Sequence, residues 1–143
     1  MNVQAILKRK GRDVATIPCS ATLREAAQQL KAKGIGALVI LDEDGALAGI
    51  ISERDIVNAM AEEGEAAASR SVCDFMTTDV RTVGLSDTTD RLMEIMTHAR
   101  MRHLPVIENG KLAGIVSIGD VVKQRMEEIA FEAEQMKNYI ATG

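Results

Sequence analysis

At 143 residues, with 46% apolar and 27% charged side chains, the chain can bury roughly 68–70% of its unfolded surface, which suits one compact globular module rather than two independent domains. A net charge of −4 and three aromatic residues, Phe75, Phe131 and Tyr139, argue against a nucleic-acid binder, which would use a basic face or stacking platforms. No run of about 18 apolar residues exists, so no membrane span is expected.

The first eleven residues lack the apolar core and cleavage site of a secretory signal, which points to a cytoplasmic protein. Cys19 and Cys73 have neither metal-type nor redox-type spacing, and a reduced pair is the expectation. Two histidines, His98 and His103, are too few for a His-based metal site or a catalytic triad. No nucleophile–base pair or acid pair stands out either, so neither a catalytic residue nor a bound metal is expected.

In chain order, Val3 to Leu7 reads as a short helical turn, and Val14 to Ile17 as a small strand stopped by Pro18. Thr22 then caps a helix, with Glu25 three residues on, Leu23, Ala26, Ala27 and Leu30 on one face, and Gly34 as its left-handed end. The continuous apolar run Ala37 to Leu41 has strand length and suits burial on both faces. A turn at 42–45 leads to a strand over Leu47 to Ile51, and Ser52 opens a helix to about Glu63. The small, polar stretch 64–70 is the natural connector between halves.

The sequence then starts again. Ser71 to Met76 echoes Val3 to Leu7, Val80 to Val83 echoes Val14 to Ile17, and Ser86-Asp87-Thr88 opens a helix through Ala99 with Leu92, Ile95 and Met96 as its stripe. Leu104 to Ile107 and Leu112 to Val116 are paired strands, and the last helix begins near Ile118 and runs almost to the end. Most of all, Gly45-Ala-Leu-Ala-Gly-Ile-Ile-Ser-Glu-Arg-Asp-Ile-Val57 recurs as Gly110-Lys-Leu-Ala-Gly-Ile-Val-Ser-Ile-Gly-Asp-Val-Val122. Self-similarity at a fixed displacement decides the architecture: two tandem β-α-β-β-α units, each too small to bury a core alone. The boundaries read as 1–63 for repeat 1, 64–70 for the connector, 71–126 for repeat 2 and 127–143 for a helical extension.

Taken alone, Ser52 with Asp55 and Ser117 with Asp120 are helix caps, the Ser accepting from a free backbone N–H and the acid complementing the positive helix end. The whole repeat, however, together with Met101-Arg102-His103-Leu104-Pro105-Val106, resembles a pair of CBS motifs, a Bateman module, from about Val3 to Met126. The resemblance implies an α+β (α/β) fold with two repeats packed as a pseudo-two-fold pair. It also implies clefts for adenosine-containing ligands: AMP first, with ADP, ATP, NAD or NADH and S-adenosylmethionine as alternatives.

By position, Asp55 and Asp120 would then bind ribose hydroxyls with Ser52 and Ser117 beside them. Phosphate would fall to Arg102 and His103, helped by Arg100, while adenine would lie along Thr16, Ile17, Gly36, Ala37, Thr82, Val83 and Pro105. A carboxylate can accept both O–H groups of a diol, and the N–H groups of a helix start and a forked guanidinium suit phosphate. Repeat 1 has Gly34-Ile35-Gly36-Ala37 where repeat 2 has Arg100-Met101-Arg102-His103, and its compensating cation is Arg54. One phosphate site is therefore expected to be stronger than the other.

Three readings stay open: a non-catalytic adenine-nucleotide sensor acting on an unidentified protein target, an NAD(H) sensor of the same fold, or a dimerisation adaptor with vestigial clefts. Val122, Met126, Ile129, Ala133, Met136 and Ile140 alternate at spacings of four and three along the last helix. That seam favours a homodimer.

Overall fold

The computed structural model describes residues 1–142. The elements run α1 (Val3–Lys10), α2 (Leu23–Lys33), β1 (Ala37–Leu41), β2 (Leu47–Ser52), α3 (Glu53–Glu63), α4 (Thr89–Ala99), β3 (His103–Glu108), β4 (Lys111–Ser117) and α5 (Ile118–Thr142). Two 3-10 segments, Gly64–Ser69 of two turns and Val72–Asp74 of one, occupy the connector and the start of repeat 2. The small, polar connector is thus largely helical, and the fully buried Ala67 anchors it.

Side-chain caps set the helix starts. Thr22 Oγ1 accepts from Glu25 N at 3.1 Å and Thr88 Oγ1 from Arg91 N at 3.1 Å, each satisfying an N–H that the first turn leaves unpaired. Both helices end on a left-handed residue. In α2 it is Gly34 (φ 64°), where the absence of a Cβ makes the turn cheap, and in α4 it is Arg100 (φ 54°), where the side chain makes it costly.

Two compact units emerge, and they cut across the repeats. One comprises Met1–Arg12, Arg81–Glu108 and the chain from Ala113 onward; the other comprises Asp13–Val80 with Asn109–Leu112. The hydrophobic cores agree. In the first unit Val3, Ile6 and Leu7 of α1 pack with Val83, Leu92, Met96, Leu104, Val106, Val116 and Val121. In the second, Val72 packs with Ile17, Leu23, Leu30, Leu38, Ile40 and Ile51. The echo between the two leading segments is real, and each segment joins the core of the other repeat.

Two glycines make room for that exchange. A Cβ on Gly114 would lie 2.9 and 3.0 Å from the Leu7 methyls, and one on Gly49 would lie 2.7 Å from Met76 Sδ and 2.8 Å from Thr77 O. The repeated Gly-Ile is therefore a docking place for a leading segment. On β2, Ile50 and Thr77 exchange backbone hydrogen bonds of 3.0 and 2.8 Å.

Each sheet is a two-stranded hairpin, β1 with β2 and β3 with β4. The first is antiparallel, pairing Ala37 with Ser52 and Val39 with Ile50, with a bulge at Ile40/Leu41. The strands expected at Val14 to Ile17 and Val80 to Val83 shrink to single parallel bridges, Thr16 to Val39 and Val83 to Val106. In the second repeat, Pro105 has no N–H, so the counterpart of the Val39 N to Ala15 O bond cannot form.

The cysteines overturn the expectation of a reduced, isolated pair. Cys19 and Cys73 form a disulfide across 54 residues, with Cα atoms 5.2 Å apart. Both flank a contact that sequence spacing could not reveal: Thr22 bridges Ser71, whose hydroxyl donates to Cys19 O at 2.6 Å. No helix among the described residues is long and apolar enough to cross a membrane.

Candidate functional site

The two acid-bearing turns are built alike. At the end of β2, Asp55 Oδ2 accepts from Ser52 N (2.9 Å) and Ser52 Oγ (3.0 Å), while Asp55 N donates back to Ser52 Oγ (3.3 Å). At the end of β4, Asp120 Oδ2 accepts from Ser117 N (2.8 Å) and Ser117 Oγ (2.9 Å), and Asp120 N donates to Ser117 Oγ (3.3 Å). Capping is therefore a real task of both acids. It occupies one carboxylate oxygen and leaves the other to be accounted for.

Here the repeats diverge. Thr77 Oγ1 lies 3.2 Å from Asp55 Oδ1 and 3.4 Å from Oδ2, so a neutral hydroxyl donates to the first acid. Lys10 Nζ donates to Asp120 Oδ2 at 2.7 Å and to Ile115 O at 2.9 Å, so an ammonium holds the second. All of the hydrogen bonds made to the Asp120 carboxylate among the described residues fall on Oδ2, and Oδ1 accepts none. Partial burial pushes the Asp120 carboxyl up, but the Lys10 hydrogen bond, the Ser117 N–H, the Lys10 charge and the Ser117 hydroxyl outweigh it and hold the acid below its ordinary range.

Sequence reasoning missed Lys10 and Thr77. The echo aligns Thr77 beside the end of Val3 to Leu7 rather than with Lys10, and only the exchange of leading segments brings each to an acid. The basic run Lys8, Arg9, Lys10 at the end of α1 was the available signal, and a helix C-terminus explains it without a ligand.

The other candidates divide into two groups. Arg102 O accepts from Ile118 N at 2.8 Å, which ties the exposed Arg102 to the start of α5 beside Ser117 and Asp120; Gly36 O does the same for Glu53 N at 3.0 Å. Arg100 is exposed at the end of α4, His103 is half-buried at the start of β3, and Arg54 is exposed on the first turn of α3. Ile17 and Val83, in contrast, turn their side chains into the cores, so what they offer outward is backbone, whereas Ala37 and Pro105 are buried but belong to neither core. Thr16 and Thr82 are exposed. Gln29 Nε2 donates to Thr16 O at 3.1 Å.

Known proteins show the same plan. The model of the CBS domain matches twice, over residues 6–62 and 72–127. A mitochondrial CBS domain-containing protein of Arabidopsis thaliana is 34% identical over 99% of this chain and 72% of its own length. The crystal structure of a CBS-domain containing protein from Agrobacterium tumefaciens superposes with a TM-score of 0.86 at 52% identity, covering 87% of this chain and 99% of that one. The CBS domain pair of protein MJ0100, solved with 5-methylthioadenosine and S-adenosyl-L-methionine, gives a TM-score of 0.79 at 26% identity over 90% of this chain and 98% of that one. With both repeats matched across most of its length, the chain belongs to the CBS-domain family.

Proposed function

We propose that this protein is a non-catalytic regulatory module that binds an adenosine-containing ligand and passes the binding event to a protein target. AMP is the first ligand to test, with ADP, ATP and NAD(H) as alternatives of the same chemistry. One observation carries the reading. Asp120 is fixed by its cap through Oδ2 and makes no hydrogen bond through Oδ1 among the described residues, with Lys10 on the same carboxylate and Arg102 tethered through its backbone carbonyl to the same helix start. A rigid, charged acceptor with an unused oxygen suits a ribose diol, and the adjacent cations suit a phosphate. The adenosine compounds bound by the MJ0100 pair support the same ligand class. Regulation follows if the ligand prefers one conformation, since differential affinity shifts the population that a target meets.

The test is titration calorimetry with AMP on the parent and on Asp120→Asn. Asn keeps an acceptor for the cap but loses the charge, so affinity should fall by about 1–2 kcal/mol, roughly 5- to 30-fold, in a protein that still folds. Equal affinity in both proteins would remove Asp120 from the site. Absence of heat with AMP, ADP, ATP and NAD(H) at millimolar levels would leave the dimerisation adaptor as the better reading.

A second copy of the chain is the partner that α5 supports. Val121 and Gln124 bury one face of that helix in its own unit, whereas Met126, Ile129, Met136 and Ile140 on the alternating seam are more than half exposed. Such a row is the usual mark of a helix that packs against another.

A further inference from the structure

The two acid-bearing turns share a cap and differ in everything charged around it. At the second repeat's helix start, Lys10 pairs with Asp120, the single acid of the α5 first turn, and Arg100 and Arg102 stand in the segment that leads into β3. In the first repeat, Arg54 stands with two acids, Glu53 and Asp55, and the positions of Arg100 and Arg102 are the glycines Gly34 and Gly36. Arg100 also holds a left-handed backbone that Gly34 adopts without penalty, so a charge is present there despite its conformational cost.

Lys10 differs from an ordinary surface ion pair in its valences. Of its three N–H donors, one goes to Asp120 Oδ2 and one to Ile115 O, and the third has no partner among the described residues. Because it sits on Oδ2, it does not compete for Oδ1. It cancels the acid's charge and still offers a donor beside it. Thr77 has a single O–H, already directed at Asp55, and cancels nothing. A dianionic phosphate brought near Asp120 therefore meets a neutralised carboxylate and an ammonium with a donor to spare among the described residues, and near Asp55 it meets two acids against the single cation Arg54.

We propose that the two repeats divide their ligands by charge: Lys10 makes the second-repeat site selective for a phosphorylated adenosine compound, and Thr77 leaves the first-repeat site to an adenosine compound without phosphate. This rests on the adenosine-binding reading above and adds to it a residue from the far end of the chain and a different ligand class for each repeat.

Calorimetry with AMP and with adenosine on the parent, Lys10→Met, Lys10→Arg, Asp55→Asn and Asp120→Asn tests it, with a melting curve of each variant as the check on folding. Lys10→Met should weaken AMP about 10-fold and leave adenosine within about 2-fold, since only a charge-assisted phosphate contact is removed. Lys10→Arg should restore AMP binding. Asp55→Asn should weaken adenosine more than AMP, and Asp120→Asn the reverse. If Lys10→Met keeps the parent's AMP-to-adenosine preference while Asp120→Asn lowers AMP affinity, the charge division is wrong and the site reading stands. If Lys10→Met binds both ligands more tightly, Lys10 is a plug on the acid and the division is equally overturned. If neither Asp variant changes either ligand, the site reading itself falls.

Discussion

Replacing Gly49 and Gly114 by alanine, one at a time, tests how the leading segments dock. The two positions are equivalent in the repeat, yet an added Cβ meets different things. At Gly114 it meets the Leu7 methyls at 2.9 and 3.0 Å, the far end of a side chain that can change rotamer; we assign about 1 kcal/mol, the low end of overpacking costs. At Gly49 it meets Met76 Sδ at 2.7 Å, which can move, and Thr77 O at 2.8 Å, which cannot move without loosening the paired Ile50–Thr77 hydrogen bonds. Overpacking of about 1–2 kcal/mol with two weakened hydrogen bonds of about 1 kcal/mol each places Gly49→Ala near 3 kcal/mol. The entropy that Ala removes from the unfolded chain is the same for both and cancels in the difference. At about 3 °C per kcal/mol for a chain of this size, thermal melts should show losses of about 3 °C for Gly114→Ala and about 10 °C for Gly49→Ala. Equal losses, or a larger one at Gly114, would refute the assignment of a backbone clash to Gly49 alone.

Reduction of Cys19–Cys73 should lower stability by about 2–4 kcal/mol in urea titrations, the chain-entropy value for a 54-residue separation being about 4 kcal/mol; a Cys19→Ser, Cys73→Ser double variant should ignore the reductant, and a parent that also ignores it would count against the bond. The Asp120 carboxyl lies below its ordinary 3.8 when folded, so its contribution is fully present above that value and is lost as the pH falls below it. The stability gap between parent and Asp120→Asn should thus be constant from neutral pH to about 5 and close under more acid conditions; a gap that widens there would reverse the sign assigned to the Lys10 pairing. Ile129→Glu combined with Met136→Glu should dissociate a dimer, because both side chains are exposed on the seam while Glu127 and Glu128 keep α5 on Arg9 and Thr89. Light scattering at tens of micromolar decides it, and a monomeric parent would sink the idea.

The hairpins, the helix starts and both acid caps were legible because each rests on residues close in sequence: Thr22 with Glu25, Ser52 with Asp55, Ser117 with Asp120. The destination of α1 was not. Val3, Ile6 and Leu7 make an apolar face that either core would accept, and amphipathicity states that a face is buried without stating where. What decides is space, and the space lies over Gly114, a residue whose message is the absence of a side chain. The disulfide was hidden for the same reason. Cys73 belongs to the leading segment of repeat 2 and meets Cys19 only because that segment packs with repeat 1.

The same exchange explains why candidate residues were missed where the chemistry is most unequal. An alignment of the repeats compares each residue with its counterpart 65 or 66 positions away, and on that comparison Asp55 and Asp120 are twins. Their third partners arrive by another route: Thr77 is 22 residues from Asp55, and Lys10 is 110 residues from Asp120. Neither partner is part of the repeated motif, so nothing in the repeat constrains its charge. A duplicated scaffold can therefore keep two identical caps, which the fold needs, while the crossing segments set each acid to a different electrostatic state. The symmetry of the motif belongs to the architecture, and the asymmetry that would tell one ligand from another enters through the segments that cross between repeats.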